Sequence, residues 1–229
     1  MKSFRDRDSV DWKYVEAQLD QEGYAVLPGV LRLSWADSAA MRIGAHVESL
    51  ASEQLGRGEL FRLPLDLPPV LQELRAALYR RLAPIANRWS EVLGMNVDYP
   101  AERSAFEAAH RREGQMHSQG SLTALREGDY LALHQRLNAS ERFPMEVAAV
   151  LNEPHHDFAG GEFVMVEQRP RMQSRPIVVP LRPGNIAVIS TAQRPQKGAS
   201  GHYRVNLKHA ISRVSSGERI GLELLLSVR

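Results

Sequence analysis

Two histidines and one arginine in the second half of the chain have the residue types and spacing for chemistry on a metal ion. His134 lies in a largely apolar run, and His209 is followed ten positions later by Arg219. Imidazole nitrogens bind transition metals such as Fe(II), and a planar guanidinium group matches a carboxylate. We interpret His134 and His209 as metal ligands and Arg219 as the anchor of a carboxylate.

The residue two positions after His134 departs from the ligand set that such a site needs. Two imidazoles and one carboxylate leave three adjacent positions open on Fe(II), enough for a 2-oxo acid and dioxygen. The chain has Arg136 where the carboxylate is expected. A guanidinium about 5 Å from a divalent ion is repelled by roughly 6 or 7 kcal/mol at an effective dielectric constant near 20. An inward Arg136 and a bound ion therefore nearly exclude each other.

Arg136 has two further interpretations, which the sequence leaves open. Its long side chain can carry the charge to the mouth of the site while two histidines stay on the metal, or it can hold an anionic substrate. We assign Arg136 and Arg213 as catalytic residues. Arg213 would contact either the metal ligands from outside or the substrate. Tyr130 is assigned to the cosubstrate pocket, although from sequence it can equally face solvent.

A second His-x-Asp pattern, at His155 and Asp157, offers an alternative first half of the metal site. Gly160 and Gly161 follow it closely, which is typical of a loop between strands rather than of a strand end aimed into a barrel. We therefore prefer His134 as the first ligand.

The chain resembles the bacterial 2-oxoglutarate/Fe(II) oxygenases near the prolyl-hydroxylase-like members, and more closely a largely uncharacterised bacterial group. The resemblance extends from about Gly23 to Leu226, and residues 83–89, 161–163, 167–175 and 203–206 carry it. The closer group reads His-Gln-Asp where this chain reads His134-Gln135-Arg136. It also has an aromatic residue, lining the cosubstrate pocket, where this chain has Leu125. Both departures fall at working positions and suggest altered chemistry.

This resemblance implies Fe(II) and 2-oxoglutarate as cofactors, with iron held by His134 and His209 and the oxo acid held by Arg219. The implied reaction is oxidation of a small molecule, in most cases hydroxylation, coupled to conversion of 2-oxoglutarate into succinate and carbon dioxide. The missing carboxylate keeps a second class of function open. In that alternative the chain is a metal-free descendant that uses Arg136 and Arg219 to bind anions or to catalyse a non-oxidative reaction.

The order of elements predicts an α+β fold in which helices precede a strand-rich half. After residue 121, runs rich in Val, Ile and Leu alternate with Gly, Pro and Asn, which is typical of strands. The predicted strands are 147–151, 163–166, 177–181, 186–189, 204–207 and 220–226. Together they suit a double-stranded β-helix, a jelly roll that closes two sheets around a pocket. We expect one oxygenase-like domain over residues 1–229, with mainly helical support in 1–120 and the β-helix core in 121–229.

Apolar residues at helical spacing predict three helices in the first half. The first spans about residues 12–19 and ends at Gly23, and the second starts at Ser34, with Asp37 completing a capping box. The third covers about residues 71–93, where Pro84 should introduce a kink. Residues 24–27 are predicted to form a short strand, and the glycine-containing segment 56–60 is predicted to be a loop.

Composition narrows the range of partners. The 229 residues include no cysteine, and 29 basic against 27 acidic residues give a net charge of +2. A charged start without an apolar core is not a secretory signal, and no run approaches the roughly 18 apolar residues of a membrane span. We expect a cytoplasmic protein with a small-molecule substrate and no membrane partner. We expect no nucleic acid partner either, because no clustered basic stripe is evident. The oligomeric state is not indicated.

Overall fold

The computed structural model describes residues 10–43, 45–64, 66–95, 97–111, 119–135, 143–199 and 201–226. The helices are α1 (Trp12–Glu22), α2 (Trp35–Arg42), α3 (Pro69–Val92) and α4 (Arg103–Arg111). The strands of the first 135 residues are β1 (Tyr24–Leu27), β2 (His46–Ser49), β3 (Gly56–Arg57), β4 (Glu59–Arg62), β5 (Gly120–Arg126) and β6 (Tyr130–His134). The later strands are β7 (Met145–Val150), β8 (Phe158–Gly160), β9 (Phe163–Gln168), β10 (Arg175–Val179), β11 (Ile186–Ser190), β12 (Gln193–Gly198), β13 (Gly201–Ile211) and β14 (Val214–Leu225).

The strands pair antiparallel in two sheets. An eight-stranded sheet has the order β1-β11-β7-β14-β5-β4-β2, with β8 paired to β14. A six-stranded sheet has the order β10-β9-β13-β6-β3, with β12 paired to β13. Strands adjacent in space are mostly distant in the chain, as a jelly roll requires. Among the described residues no helix is long and apolar enough to cross a membrane.

Two hydrophobic clusters lie on opposite faces of the larger sheet. One cluster joins that sheet to α1 and α3 and includes Leu19, Leu78, Trp89 and Leu222. The other fills the space between the sheets and includes Met165 and other side chains from both. Strand β7 is buried at every position because it is covered on both faces, whereas β9 alternates buried and half-buried residues. The interior of the two-sheet barrel is thus closed to bulk water along most of its length.

The predicted helices and strands agree with the structure in most places. Helix α1 ends at Gly23 in the left-handed conformation, and α2 begins with a capping box between Ser34 and Asp37. Helix α3 runs unbroken through Pro84. The prediction of a loop over residues 56–60 was wrong, because this segment forms β3 and the first half of β4. Strand β4 pairs with β2 and β5, so cross-strand hydrogen bonding outweighed the local turn preference of the glycines.

A buried ion pair ties the N-terminal helix to the barrel. Arg194 is fully buried, and its guanidinium donates hydrogen bonds to the backbone oxygens of Asp20 and Gln21 at 2.6 and 2.7 Å and to the carboxylate of Glu167. Burial tends to raise the pKa of Glu167, but hydrogen bonds and charge from Arg194, with help from Arg169, lower it overall. Arg194 thereby satisfies the last carbonyl groups of α1 and joins this helix to β9 and β12.

We predict that Arg194→Ala lowers the free energy of unfolding by about 3 to 5 kcal/mol, because it leaves the Glu167 carboxylate and helix-end carbonyls buried without their main donor. Urea denaturation followed by circular dichroism measures this loss. Arg182→Ala is the control, since Arg182 is exposed and its loss should change stability by less than about 0.5 kcal/mol. Equal midpoints for the two variants would contradict this account of the α1 junction.

Candidate functional site

Inward-facing positions on strands of both sheets bring a polar group into the otherwise apolar barrel. Along β14, Arg219, Gly221 and Glu223 alternate with residues of the outer core, so all three face the interior. Glu146 occupies an inward position at the start of β7, and His209 faces inward from β13 in the opposite sheet. The period of two in each strand therefore concentrates ionisable side chains at one level of the barrel.

Glu146, His209 and Glu223 form a buried cluster whose donor atoms all lie within 4.8 Å of one another. Nε2 of His209 is 3.4 Å from Oε1 of Glu146, and both side chains are almost entirely buried. Glu223 is 7% exposed. Within the described part of the chain, these three residues are the set of side chains that could together bind a metal ion.

The two carboxylates of this cluster would repel one another if both were ionised without compensation. At 4.8 Å and an effective dielectric constant of about 20, the repulsion is about 3 to 4 kcal/mol. A proton, the imidazolium form of His209, the nearby Arg219 cation or a bound metal ion can each offset that repulsion. The cluster is therefore a place where a cation is electrostatically favoured.

His134 lies directly beside this cluster. Its ring centroid is 4.2 Å from that of His209, and the two residues are Cα partners where β6 meets β13. Nδ1 of His134 is 2.9 Å from the backbone oxygen of Ala132. When Nδ1 carries the proton and donates to that carbonyl, Nε2 keeps a free lone pair for a metal. The two predicted metal ligands are thus neighbours, with one of them held in a ligand-competent tautomer.

Arg219 is buried below this level of the barrel. It is 2% exposed, and within the described part of the chain its Nε and Nη1 atoms have no hydrogen-bond partner. Burial lowers the pKa of Arg219 to about 10, while the charges of Glu223 and Glu162 act in the opposite direction. At neutral pH the guanidinium therefore remains a cation whose Nε and Nη1 atoms can donate hydrogen bonds to an anion.

The backbone leaves room for this guanidinium at Gly221. A Cβ atom at that position would lie 2.5 Å from Nη1 of Arg219 and 2.6 Å from Oγ1 of Thr123. Leu125 is the Cα partner of Arg219 on β5 and is fully buried. The aliphatic residue noted in the sequence thus contributes an apolar wall next to the cationic group.

A cavity of about 160 Å³ opens between the sheets and reaches Arg219. Its walls include Phe158, Phe163 and Val179, with Glu162 and His155 at its polar side. Hydrogen bonds, first that from the Ser212 hydroxyl, lower the pKa of Glu162, and the charges of His155 and Arg219 act in the same direction. The cavity combines an apolar lining with one buried cation, as small-molecule sites commonly do.

Tyr130 and Arg213, which were also assigned from sequence, are not part of this cluster. Tyr130 is 37% exposed, and the Arg213 guanidinium lies 5.9 Å from the centre of its ring, so the pair lies at the surface rather than among the buried donors. Arg136 lies outside the described residues.

The alternative motif is a loop. Oδ2 of Asp157 accepts a hydrogen bond from the backbone N–H of Glu153 at 2.7 Å, and Nδ1 of His156 lies 2.8 Å from Oδ1 of Asp157. His155 has a positive φ of 66°. Asp157 therefore closes the turn before β8, while His155 borders the cavity.

Sequence reasoning missed Glu146 and Glu223. Glu146 directly precedes a run of Val, Ala and Leu, and Glu223 stands inside a Leu-rich run, where an acidic residue is uncommon. A single carboxylate at an inward position of a buried strand was the available signal. The register between β7 and β14, which makes the two residues near neighbours, could not be read from the sequence.

Comparisons with known proteins place the chain in a family. A family model described as an oxygenase catalysing oxidative methylation of damaged DNA matches residues 57–227. The chain is 36% identical over 162 residues to uncharacterized proteins from two strains of Mycobacterium tuberculosis, covering 71% of this chain and 70% of each relative.

Solved structures of oxygenases share the fold. A Pseudomonas putida prolyl-4-hydroxylase aligns with a TM-score of 0.59 and 13% identity over 95% of this chain and 99% of that protein. A 2OG-Fe(II) oxygenase family oxidoreductase from Burkholderia pseudomallei aligns with a TM-score of 0.54 and 15% identity, over 98% of this chain and 92% of that protein. These likenesses and the two antiparallel sheets confirm the predicted jelly roll. The family model and the relatives at 36% identity show that the chain belongs to this oxygenase family.

Proposed function

We propose that this protein is a 2-oxoglutarate- and Fe(II)-dependent oxygenase that hydroxylates or otherwise oxidises a small molecule. The observation that carries the proposal is the buried cation of Arg219, whose Nε and Nη1 atoms have no hydrogen-bond partner among the described residues. It lines a cavity and lies two inward positions along β14 from Glu223 of the histidine-carboxylate cluster. A buried cation is costly unless an anion joins it, so a dicarboxylate in this cavity accounts for its presence.

The donor set fits an iron ion. His134 and His209 would hold the metal through imidazole nitrogens, and the neighbouring carboxylates would offset its charge. When bound, Fe(II) supplies the redox chemistry by which dioxygen converts 2-oxoglutarate to succinate and carbon dioxide and adds one oxygen atom to the substrate. The chain itself keeps the His134 ring oriented through Ala132 and surrounds the site with apolar side chains.

Arg219 would bind the distal carboxylate of 2-oxoglutarate. The guanidinium can donate hydrogen bonds to that carboxylate, and its burial strengthens the ion pair because little water competes. Leu125 and Phe163 flank this part of the interior and would contact the methylene groups of the oxo acid. The role of these side chains is to orient the cosubstrate and exclude water.

The class of substrate is a separate part of the proposal. A cavity of about 160 Å³ suits small organic molecules, and we keep the expectation of a small-molecule substrate. The family description names damaged DNA, which is the opposite of the sequence-based expectation of no nucleic acid partner. Succinate formation with damaged DNA oligonucleotides against a panel of small molecules distinguishes the two substrate classes.

A second candidate function is a metal-free protein that binds anionic small molecules or catalyses a non-oxidative reaction. His209 contacts Glu146, and the negative charge of Glu223 favours the Arg219 cation. These interactions would balance the buried charges without a metal ion. Metal content after anaerobic purification with added Fe(II) separates this candidate from the oxygenase.

We predict that Arg219→Ala weakens 2-oxoglutarate binding by about 2 to 4 kcal/mol, the scale of losing a buried charged partner. Isothermal titration calorimetry with 2-oxoglutarate under anaerobic conditions measures the loss, and Arg182→Ala serves as the matched exposed control. Gly221→Ala should weaken the same binding, because a Cβ atom there enters the space of the guanidinium. A folded Arg219→Ala protein that binds 2-oxoglutarate with unchanged affinity would contradict the assignment of Arg219 as the carboxylate anchor.

We predict that His134→Ala abolishes Fe(II) binding, while His155→Ala and Asp157→Ala leave it nearly unchanged. The first substitution removes an imidazole next to His209, whereas the other two alter a loop outside the cluster. Anaerobic titration followed by metal analysis measures the bound iron. Loss of iron in the loop variants with retention in His134→Ala would move the metal site to the loop.

A further inference from the structure

We propose that Glu146, Glu223 and His209 form a divalent cation site inside the barrel, in which carboxylates from β7 and β14 replace the one absent at position 136. The proposal deepens the proposed function, on which it rests for the presence of an ion. It concerns which side chains hold that ion, not which substrate is oxidised.

The positions of the donor atoms support one shared ion. Ligands bound to one ion at about 2.1 Å can lie at most about 4.2 Å apart. The donor atoms of the three residues already lie within 4.8 Å of one another, so rotations within the side chains are enough to close the site. His134 stands against His209 and can add a second imidazole.

The strand register fixes these donors from two sheets. Glu146 is the Cα partner of Leu225, and Glu223 is the Cα partner of Ala148, so the two glutamates are diagonal neighbours on adjacent strands. His209 approaches from β13 in the opposite sheet, where it pairs with Met165 of β9. Donors on paired strands are held more precisely than donors on loops.

A second observation points to a ligand in the same interior, beside the cluster along β14. Arg219 is 2% exposed and lies two inward positions from Glu223 on the same strand. Its Nε and Nη1 atoms have no hydrogen-bond partner among the described residues. Its charge interaction with Glu223 is the larger of the two that stabilise the cation. A cation held by Glu223 would leave Arg219 available to an external anion, so cation and dicarboxylate would each favour binding of the other.

The chemistry of the donors indicates the kind of ion. Two carboxylates and one or two imidazoles form an oxygen- and nitrogen-rich set without thiolate, which suits Fe(II) and Mn(II). A chain without cysteine offers no sulfur ligand to a softer metal. Mn(II) is therefore a suitable probe, since it does not oxidise readily in air and has a distinct magnetic resonance signal.

The competing account is that Glu146 and His209 form only a structural ion pair at 3.4 Å. The two accounts differ in the effect of replacing a carboxylate by an amide of the same shape. If the carboxylates are ligands, Glu146→Gln and Glu223→Gln weaken cation binding. If they serve only the fold, the same substitutions alter stability and leave cation binding at wild-type strength.

The experiment is a titration of the full chain with Mn(II), followed by electron paramagnetic resonance of the free ion. We expect Glu146→Gln and Glu223→Gln each to raise the dissociation constant at least tenfold, and the double variant to raise it at least a hundredfold. Glu59→Gln, a partly exposed glutamate on β4 of the same sheet, is the control and should bind as the wild type does. Circular dichroism establishes that each variant is folded.

The outcomes separate this proposal from the proposed function. Wild-type affinity in the folded double variant, together with loss of Mn(II) in His209→Ala, would overturn the carboxylate assignment and leave the histidine site standing. Failure of the wild type to bind Mn(II) or Fe(II) would overturn both. If the variants do not fold, a crystal structure of the wild type soaked in Mn(II) decides. Anomalous density between Glu146, Glu223 and His209 supports the proposal, and density elsewhere contradicts it.

Discussion

Charge compensation in a space closed to water is the constraint on which the rest of this structure depends. Arg219, Glu146, Glu223 and His209 are all buried between the two sheets. The desolvation free energy of an isolated charge there would exceed the stabilisation that packing provides. The strands must therefore hold these groups close enough to compensate each other or a bound ion. Among the described residues, apolar side chains from both sheets fill much of the remaining interior.

The outer layers hold that arrangement in place. Helices α1 and α3 cover the outer face of the larger sheet, and the fully buried Arg194 joins the end of α1 to Glu167 on the smaller sheet. Since packed cores respond to a shift of a single methylene group, a framework covered in this way limits how far an inward side chain can move. The positions of Glu223 and Arg219 relative to one another follow from a single strand, whereas their relation to His209 depends on both sheets.

Position 136 carries an arginine where the resemblance to the oxygenases predicts a carboxylate. An iron-binding oxygenase needs imidazoles, negative charge near the ion and a cation for the oxo acid. Here the carboxylate expected two residues after His134 is an arginine, yet two other carboxylates lie beside His209. Membership of the oxygenase family follows from the match over residues 57–227 and from relatives at 36% identity, whereas the proposed metal chemistry depends on which of these charged groups would face an ion.

The sequence by itself determined the strand-rich second half, the capped start of α2 and the stop of α1 at Gly23, because each depends on local periodicity or turn chemistry. Only the tertiary structure decided that residues 56–62 join the sheets and that Tyr130 and Arg213 meet at the surface. It alone also brought Glu146 to Glu223, because strand register and sheet order are set by contacts between distant segments. A side chain's neighbours across a barrel are therefore not encoded in any local pattern.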